Sequence, residues 1–186
     1  MKRLAGVLLL VNRGEVLVIQ RAQHLRFQPN YWSFPGGGVE TGDGQGARQE
    51  QAANAAVREC QEEVGITLSQ SQLAQLRLLG RWQTPDYAGA GFDTFFFCVQ
   101  IDDARPEIHA NPEVAHWQWL APNDFHQQWQ KAHKIAALPV LRALRALEEE
   151  ETPPFSSQDH PRDFLSMGGP ARYLPLRTAT LPPATH

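Results

Sequence analysis

Glu59, Glu62 and Glu63 stand at positions i, i+3 and i+4, so on a 3.6-residue helix three carboxylates share one face and project the same way. Like charges at that spacing repel, at a cost of about a few tenths of a kcal/mol for each exposed pair. One reading is a solvated helix face. The other is a site for a hard divalent cation such as Mg²⁺, which takes oxygen ligands in octahedral array from carboxylates, waters and phosphates. Upstream, Pro35-Gly36-Gly37-Gly38 lets the backbone come close to a ligand and aim carbonyls at a metal. Polyphosphate must be neutralised before water can attack phosphorus, which metals do by Lewis-acid polarisation and by lowering the pKa of bound water. Together the two features point to metal-assisted hydrolysis of a phosphoric anhydride.

The elements that must position these groups follow from pattern and punctuation. Ala5–Val11 and Glu15–Gln20 are apolar, β-branched segments around Asn12-Arg13-Gly14, which predicts an antiparallel hairpin. The stretch after Arg21 holds Pro29, Pro35 and Gly36 to Gly38 and reads as loop. Gln49–Val64 is rich in alanine and stops at Gly65, which predicts the helix that carries the glutamates. Its opposite face, Ala53, Ala56, Val57, Cys60 and Val64, is expected to pack on a sheet, with Cys60 a small buried hydrophobe. Leu76–Trp82, Phe92–Ile101 and Val114–Leu120 read as strands, the second centred on Phe95-Phe96-Phe97. A helix is expected to start at Pro122, and another to run over Ala132–Leu147 with Pro139 splitting it. The order of elements predicts an α/β fold with a mixed β-sheet between helices.

Length and charge bound the rest. At 186 residues, 42% hydrophobic, the chain suits one domain over 1–150 with an appendage, and 151–186 reads as a Pro-rich tail or linker. A net charge of -3 and a pI near 6.1 give no basic field for nucleic acid or a membrane surface, so a small-molecule partner is expected. Two cysteines without zinc spacing and seven scattered histidines fit neither a disulfide framework nor a zinc site, and suit a reducing, cytoplasmic setting. Lys2-Arg3 before Ala5–Val11 resembles a short signal peptide, but the run ends at Asn12 without a small-residue cleavage pattern, so it is read as the first strand.

Gly44, Glu50, Arg58-Glu59-Cys60, Glu62-Glu63 and Gly65-Ile66 fit the Nudix box, G-x5-E-x7-R-E-U-x-E-E-x-G-U with U apolar, at every spacing. The flanking Trp32 to Glu40 resembles the segment that opens this box in Nudix hydrolases. Typical members have the Pro-Gly-Gly directly before the box. That register takes Gly37 as the first box position and Asp43 in place of the first glutamate, with Gly44–Glu50 as an insertion, and it is the register preferred here.

The resemblance implies a Nudix α/β/α sandwich that hydrolyses a nucleoside diphosphate linked to another moiety. It implies that Glu59, Glu62 and Glu63 bind Mg²⁺ or Mn²⁺, joined by the main-chain carbonyl of Gly36, with Arg58 orienting the cluster. Many members add an acidic residue from a later loop as general base or metal ligand, for which Glu113 is placed ahead of Asp93. Arg21 and Arg26, with Gly37 and Gly38, are expected to meet an anionic substrate. Trp82, Tyr87 and Phe92 are candidates to stack on an adenine, with ordinary packing as the alternative. Leu25 to Asp43, Arg81 to Pro85 and Phe92 to Phe97 resemble the branch containing coenzyme A diphosphatases. Pro175 to His186 resembles the opening strand of a fused metallo-β-lactamase-fold domain, and a strap over its own domain or a homodimer mate is the alternative. A ligand-sensing module on the same fold, without turnover, is the competing function.

Overall fold

Arg13 and Gly14 both adopt left-handed backbone angles, φ 51° and 81°, the two-residue turn whose twist suits a hairpin. They join β1 (Arg3–Asn12) to β2 (Glu15–Arg21) with Val11 opposite Val16 and Asn12 opposite Glu15. The structure is a computed structural model, and it describes residues 2–84, 91–101, 104–150 and 153–157. Tyr87 and the segment Pro175 to His186 lie outside the described residues.

The remaining strands are β3 (Trp32–Ser33), β4 (Gly36–Gly38), β5 (Arg77–Gln83), β6 (Phe92–Gln100), β7 (Val114–Leu120) and β8 (Phe155–Ser156). They form one mixed sheet in the order β3-β2-β1-β6-β5-β8, with β4 paired to β1 and β7 paired to β2. β1 and β6 run parallel, from Arg3 opposite Phe92 to Val11 opposite Gln100, while β5 and β6 are antiparallel. Both faces of this sheet are covered, which is why its central strands are continuous apolar runs rather than alternating ones. On one face Leu8, Leu10, Leu17, Ile19, Phe95, Phe97 and Val99 pack against Ala52, Ala56, Cys60 and Val64 of α1 (Arg48–Val64). On the other, Leu9, Val18, Phe96 and Cys98 meet Phe125 and Trp129 of α3 (Pro122–Gln130), and Val140, Leu141 and Leu144 of α4 (Leu138–Glu148). The result is the predicted α/β/α sandwich. Among the described residues no helix is long and apolar enough to cross a membrane.

Three local expectations are corrected, and two features are added. The stretch after Arg21 is not wholly loop, because β3 pairs with β2 and the glycines of β4 pair with β1, Gly37 opposite Gly6. Ala132–Ala137 is not helical. Its Ile135 carbonyl accepts the N–H of Trp32 at 2.7 Å, and Ala137 is extended before α4, where Pro139 sits in the first turn, needing no donor there. So Pro139 starts a helix instead of splitting one. A short helix, α2 (Gln70–Ala74), is added by a capping box between Ser69 and Gln72. Past residue 150 the chain returns to the domain: Phe155 is buried, its ring 5.7 Å from that of Phe96. It lies over Gly80, where a Cβ would come within 2.2 Å of its ring.

Candidate active site

The carboxylate cluster is held by a helix pressed unusually close to the sheet. A Cβ on Gly6 would lie 1.7 Å from the carbonyl oxygen of Ala52, so β1 lets the α1 backbone rest directly on it. Ala52, Ala56, Cys60 and Val64 point into the sheet, and burial pushes the Cys60 thiol up to about 12. The helix ends at Gly65, which takes φ 75° and donates its N–H to Gln61 O, the left-handed stop that only glycine adopts freely.

This placement brings Glu59 and Glu63 over β4 and leaves Glu62 outside. Glu63 is buried, at 3% exposure, and its Oε2 accepts the N–H of Gly36 at 2.9 Å. Glu59 lies against Gly37, where a Cβ would fall 2.2 Å from Glu59 Oε1. The Glu62 side chain is 54% exposed.

Arg58 ties these pieces together. Its Nε and Nη2 donate to Asp43 Oδ1 and Oδ2 at 3.0 and 3.1 Å, Nη2 also reaches Gly38 O at 3.0 Å, and Nη1 reaches Glu59 Oε1 and Glu62 Oε2, each at 3.0 Å. One planar guanidinium thus joins the 3-10 turn at Thr41–Asp43, the glycine strand and the glutamates. Asp43 is buried and also accepts the N–H of Glu40 at 2.8 Å. Burial alone would raise its pKa, but these hydrogen bonds, Arg58 above all, hold it below the usual aspartate value. Glu50 is exposed in the first turn of α1. The carboxylate gripped by Arg58 is therefore Asp43. Gly44–Ala47 forms a loop and Arg48–Glu50 adds the first residues of α1.

Electrostatics separate the glutamates. Burial pushes the Glu63 carboxyl up to about 7, opposed by the Gly36 N–H and the charge of Arg21, and reinforced by repulsion from Glu59 and Glu113. Glu59 is likewise raised, first by burial, with Arg58 opposing and Glu62 and Glu113 adding repulsion. Glu113 reaches this field because its loop is pinned to the end of α1. Asn111 N donates to Glu63 O at 2.9 Å, His109 N donates to Val64 O at 3.0 Å, and Ala22 N donates to Glu113 O at 2.8 Å.

Other sequence-predicted residues are placed elsewhere. Asp93 is buried and committed to two guanidinium groups: Arg81 at 2.7 and 2.6 Å and Arg48 at 2.6 Å. Chiefly through Arg81, its pKa is held down at about 2. Arg21 is near the cluster, and its Nε donates to Phe27 O at 3.2 Å. Arg26 is exposed in the β2–β3 connection. Trp82 packs against the core on the α4 side, whereas Phe92 pairs with Phe27. Sequence reading passed over Phe27, Arg48 and Lys134. Lys134 is buried, with Nζ 3.1 Å from the Trp32 ring centroid and donating to Gln118 Oε1 at 2.7 Å.

The donor chemistry fits a hard divalent cation. Glu59 and Glu63 are oxygen donors whose pKa values are raised by burial and by repulsion from neighbouring carboxylates, and Arg58 is spent on four acceptor residues. A cation between them would relieve that repulsion. The side chains as placed do not close around one: among the described residues no group of three or more His, Cys, Asp or Glu forms a metal cluster.

Comparison with known proteins places this geometry in a family. A NUDIX domain model matches residues 2–150. Human m7GpppN-mRNA hydrolase NUDT17 is 29% identical over 193 residues, covering 95% of this chain and 52% of that protein. Nucleoside triphosphatase NudI of Escherichia coli is 29% identical over 119 residues, covering 62% of this chain and 79% of that one. The chain thus spans about half the length of its human relative. In fold, it is similar to the crystal structure of a NUDIX hydrolase from Alicyclobacillus acidocaldarius, with a TM-score of 0.67 at 24% identity over 79% of this chain and 91% of that one. It is also similar to a C. elegans Ap4A hydrolase, with a TM-score of 0.56 at 19% identity over 78% and 95%. With the family model spanning β1 to β7, the glycine strand and α1 together, the chain belongs to the NUDIX family.

Proposed function

We propose that this chain hydrolyses a phosphoric anhydride in a nucleoside diphosphate linked to another moiety, with Mg²⁺ or Mn²⁺ held by Glu59 and Glu63, Glu62 at the outer edge and the Gly36 carbonyl as a main-chain ligand. The observation that carries it is the burial of Glu63 beside Glu59, with Gly36 and Gly37 in contact with them. Two carboxylates forced together at a glycine strand are a poor structural device and a good cation site. When bound, the metal polarises the anhydride and lowers the pKa of its water.

The chain's own residues do the rest. Arg58 fixes the Glu59 carboxylate by a hydrogen bond and holds β4 in place through Gly38 O. The absence of side chains at Gly37 and Gly38 leaves room for a polyphosphate beside the carboxylates. Arg21, at the end of β2 and with its charge acting on Glu63, is assigned to the substrate's phosphates, together with the exposed Arg26 of the following connection. Glu113, whose charge acts on Glu59 and Glu63, is assigned the proton from the attacking water, for which its carboxylate, unpaired among the described residues, suits better than that of Asp93, which is committed to Arg48 and Arg81.

The test is a screen of purified protein with Mg²⁺ or Mn²⁺ against coenzyme A, whose diphosphatase branch the loops resemble, ADP-ribose, nucleotide sugars, dinucleoside polyphosphates, nucleoside triphosphates and an m7Gppp cap dinucleotide. Glu59→Gln and Glu63→Gln are expected to lose roughly a hundredfold or more in kcat while remaining folded. Binding of these compounds without any product would favour the ligand-sensing alternative.

A further inference from the structure

We propose that Asn111 is a positioning residue, the joint that holds Glu113 in a fixed place relative to Glu63. The inference deepens the proposed function and rests on it for the role of Glu113. Asn111-Pro112-Glu113-Val114 has asparagine and proline at the first two positions of a β-turn, where each is favoured. The turn forms. Val114 N donates to Asn111 O at 3.1 Å, and Asn111 Oδ1 accepts the N–H of Glu113 at 2.8 Å. Pro112 has no N–H, so the Glu113 amide is the first one past Asn111 that the carboxamide can take.

The turn is anchored by what α1 lacks. The last carbonyls of a helix have no partner within it, and here the loop supplies two. Val64 O accepts from His109 N at 3.0 Å and Glu63 O accepts from Asn111 N at 2.9 Å. The loop lies tight on the helix stop, where a Cβ on Gly65 would fall 2.8 Å from His109 Cβ. Asn111 therefore bonds to the main chain of Glu63 through its own N–H and to that of Glu113 through its side chain, so one small residue spaces the two. On its far side Glu113 O accepts from Ala22 N at 2.8 Å, next to Arg21. The closeness has an electrostatic trace, since the charge of Glu113 raises the carboxyl of Glu63 and that of Glu59. Without the carboxamide these main-chain bonds remain, and what is lost is the hold on the Glu113 amide. A reacting group set loose by a fraction of an ångström loses rate more than binding.

The experiment measures kcat and KM of the full chain on a compound cleaved in the screen, for Asn111→Ala, Asn111→Ser and Asn111→Ala combined with Glu113→Gln, and follows amide hydrogen exchange of the same proteins by NMR. Asn111→Ala is expected to fold and to lose about tenfold in kcat with KM within about twofold of wild type. Asn111→Ser keeps a neutral acceptor and is expected to recover about threefold of that loss. In the Glu113→Gln background Asn111→Ala is expected to cost nothing further, because it acts through Glu113. The Glu113 amide is expected to exchange about tenfold or more faster in Asn111→Ala, with the Asn111 amide unchanged. A wild-type kcat in Asn111→Ala, a loss that serine does not recover, or an equal further loss on top of Glu113→Gln overturns the proposal and leaves the hydrolase reading in place. A wild type that cleaves none of the compounds removes the hydrolase reading instead, and the joint then stands if the Glu113 amide quickens in Asn111→Ala and falls if it does not.

Discussion

Arg58 grips Asp43 through two guanidinium nitrogens, at 3.0 and 3.1 Å, and the same group touches Gly38, Glu59 and Glu62. Asp43 is buried, so this pair is the strut between the glycine strand and α1. It is also the contact that decides between the two alignments of the box, because Glu50, the literal match, is exposed seven positions further on.

Asp43→Asn is therefore expected to destabilise the fold by about 2 to 4 kcal/mol, since it leaves a partly buried guanidinium without its strongest partner. Glu50→Gln is expected to cost less than about 1 kcal/mol, the worth of an acid in an exposed first turn. Urea unfolding of the two variants checks this. A larger loss for Glu50→Gln would restore the literal alignment.

Much of this arrangement was legible in the chain because it is local. The spacing of Glu59, Glu62 and Glu63 fixes their shared face without any knowledge of the sheet, and Gly65 marks the end of α1 wherever the helix packs. Asp93 was ambiguous for the opposite reason. Its partners Arg48 and Arg81 lie 45 and 12 residues away, and no local pattern announces them. β4 was hidden because three glycines have no strand propensity; what makes them a strand is the approach of β1 and the two glutamates. The run Ala132–Ala137 misled because its apolar rhythm is that of a loop packed under Trp32, a contact periodicity cannot show.

Glu113 and Asp93 are separable by opposite outcomes. Glu113→Gln is expected to lower kcat by roughly 10² or more, with unfolding unchanged within about 0.5 kcal/mol. Asp93→Asn is expected to destabilise the protein. Asp93 is held at about 2 against an ordinary 3.8, so its stabilisation is present above about 3.8 and disappears as pH falls toward 2. The size is on the order of 2 kcal/mol, reduced by salt because both arginine partners are about half exposed. Acid unfolding curves of wild type and Asp93→Asn should converge near pH 2.

Glu63 gives the opposite slope in metal-free protein. Its folded pKa lies near 7 against an ordinary 4.5, so between those values the native state holds more protons than the unfolded one, and stability falls as pH rises. The loss approaches about 3 kcal/mol by pH 7. With EDTA present, Glu63→Gln is expected to flatten that slope and to be more stable than wild type at pH 7. Adding Mn²⁺ should raise the wild-type melting temperature more than that of the variant. A wild-type stability that does not fall from pH 4.5 to 7 in EDTA would show that the burial of Glu63 is already compensated.

Gly37 and Gly6 make the final pair, because each is crowded by α1 but by different atoms. A methyl at Gly37 would meet Glu59 Oε1 at 2.2 Å, the tip of a flexible side chain, whereas one at Gly6 would meet the Ala52 carbonyl oxygen at 1.7 Å. The side chain can swing away, and the helix backbone cannot move without unpacking Ala52, Ala56 and Cys60 from the sheet. Gly37→Ala is thus expected to fold, with a stability change under about 1 kcal/mol, and to lose roughly tenfold or more in kcat as Glu59 is displaced. Gly6→Ala is expected to cost about 3 kcal/mol or more, an overpacking penalty at the top of its range. Thermal melts of both variants with turnover of Gly37→Ala decide the point: an active Gly37→Ala would mean that Glu59 need not sit where the glycine strand now holds it.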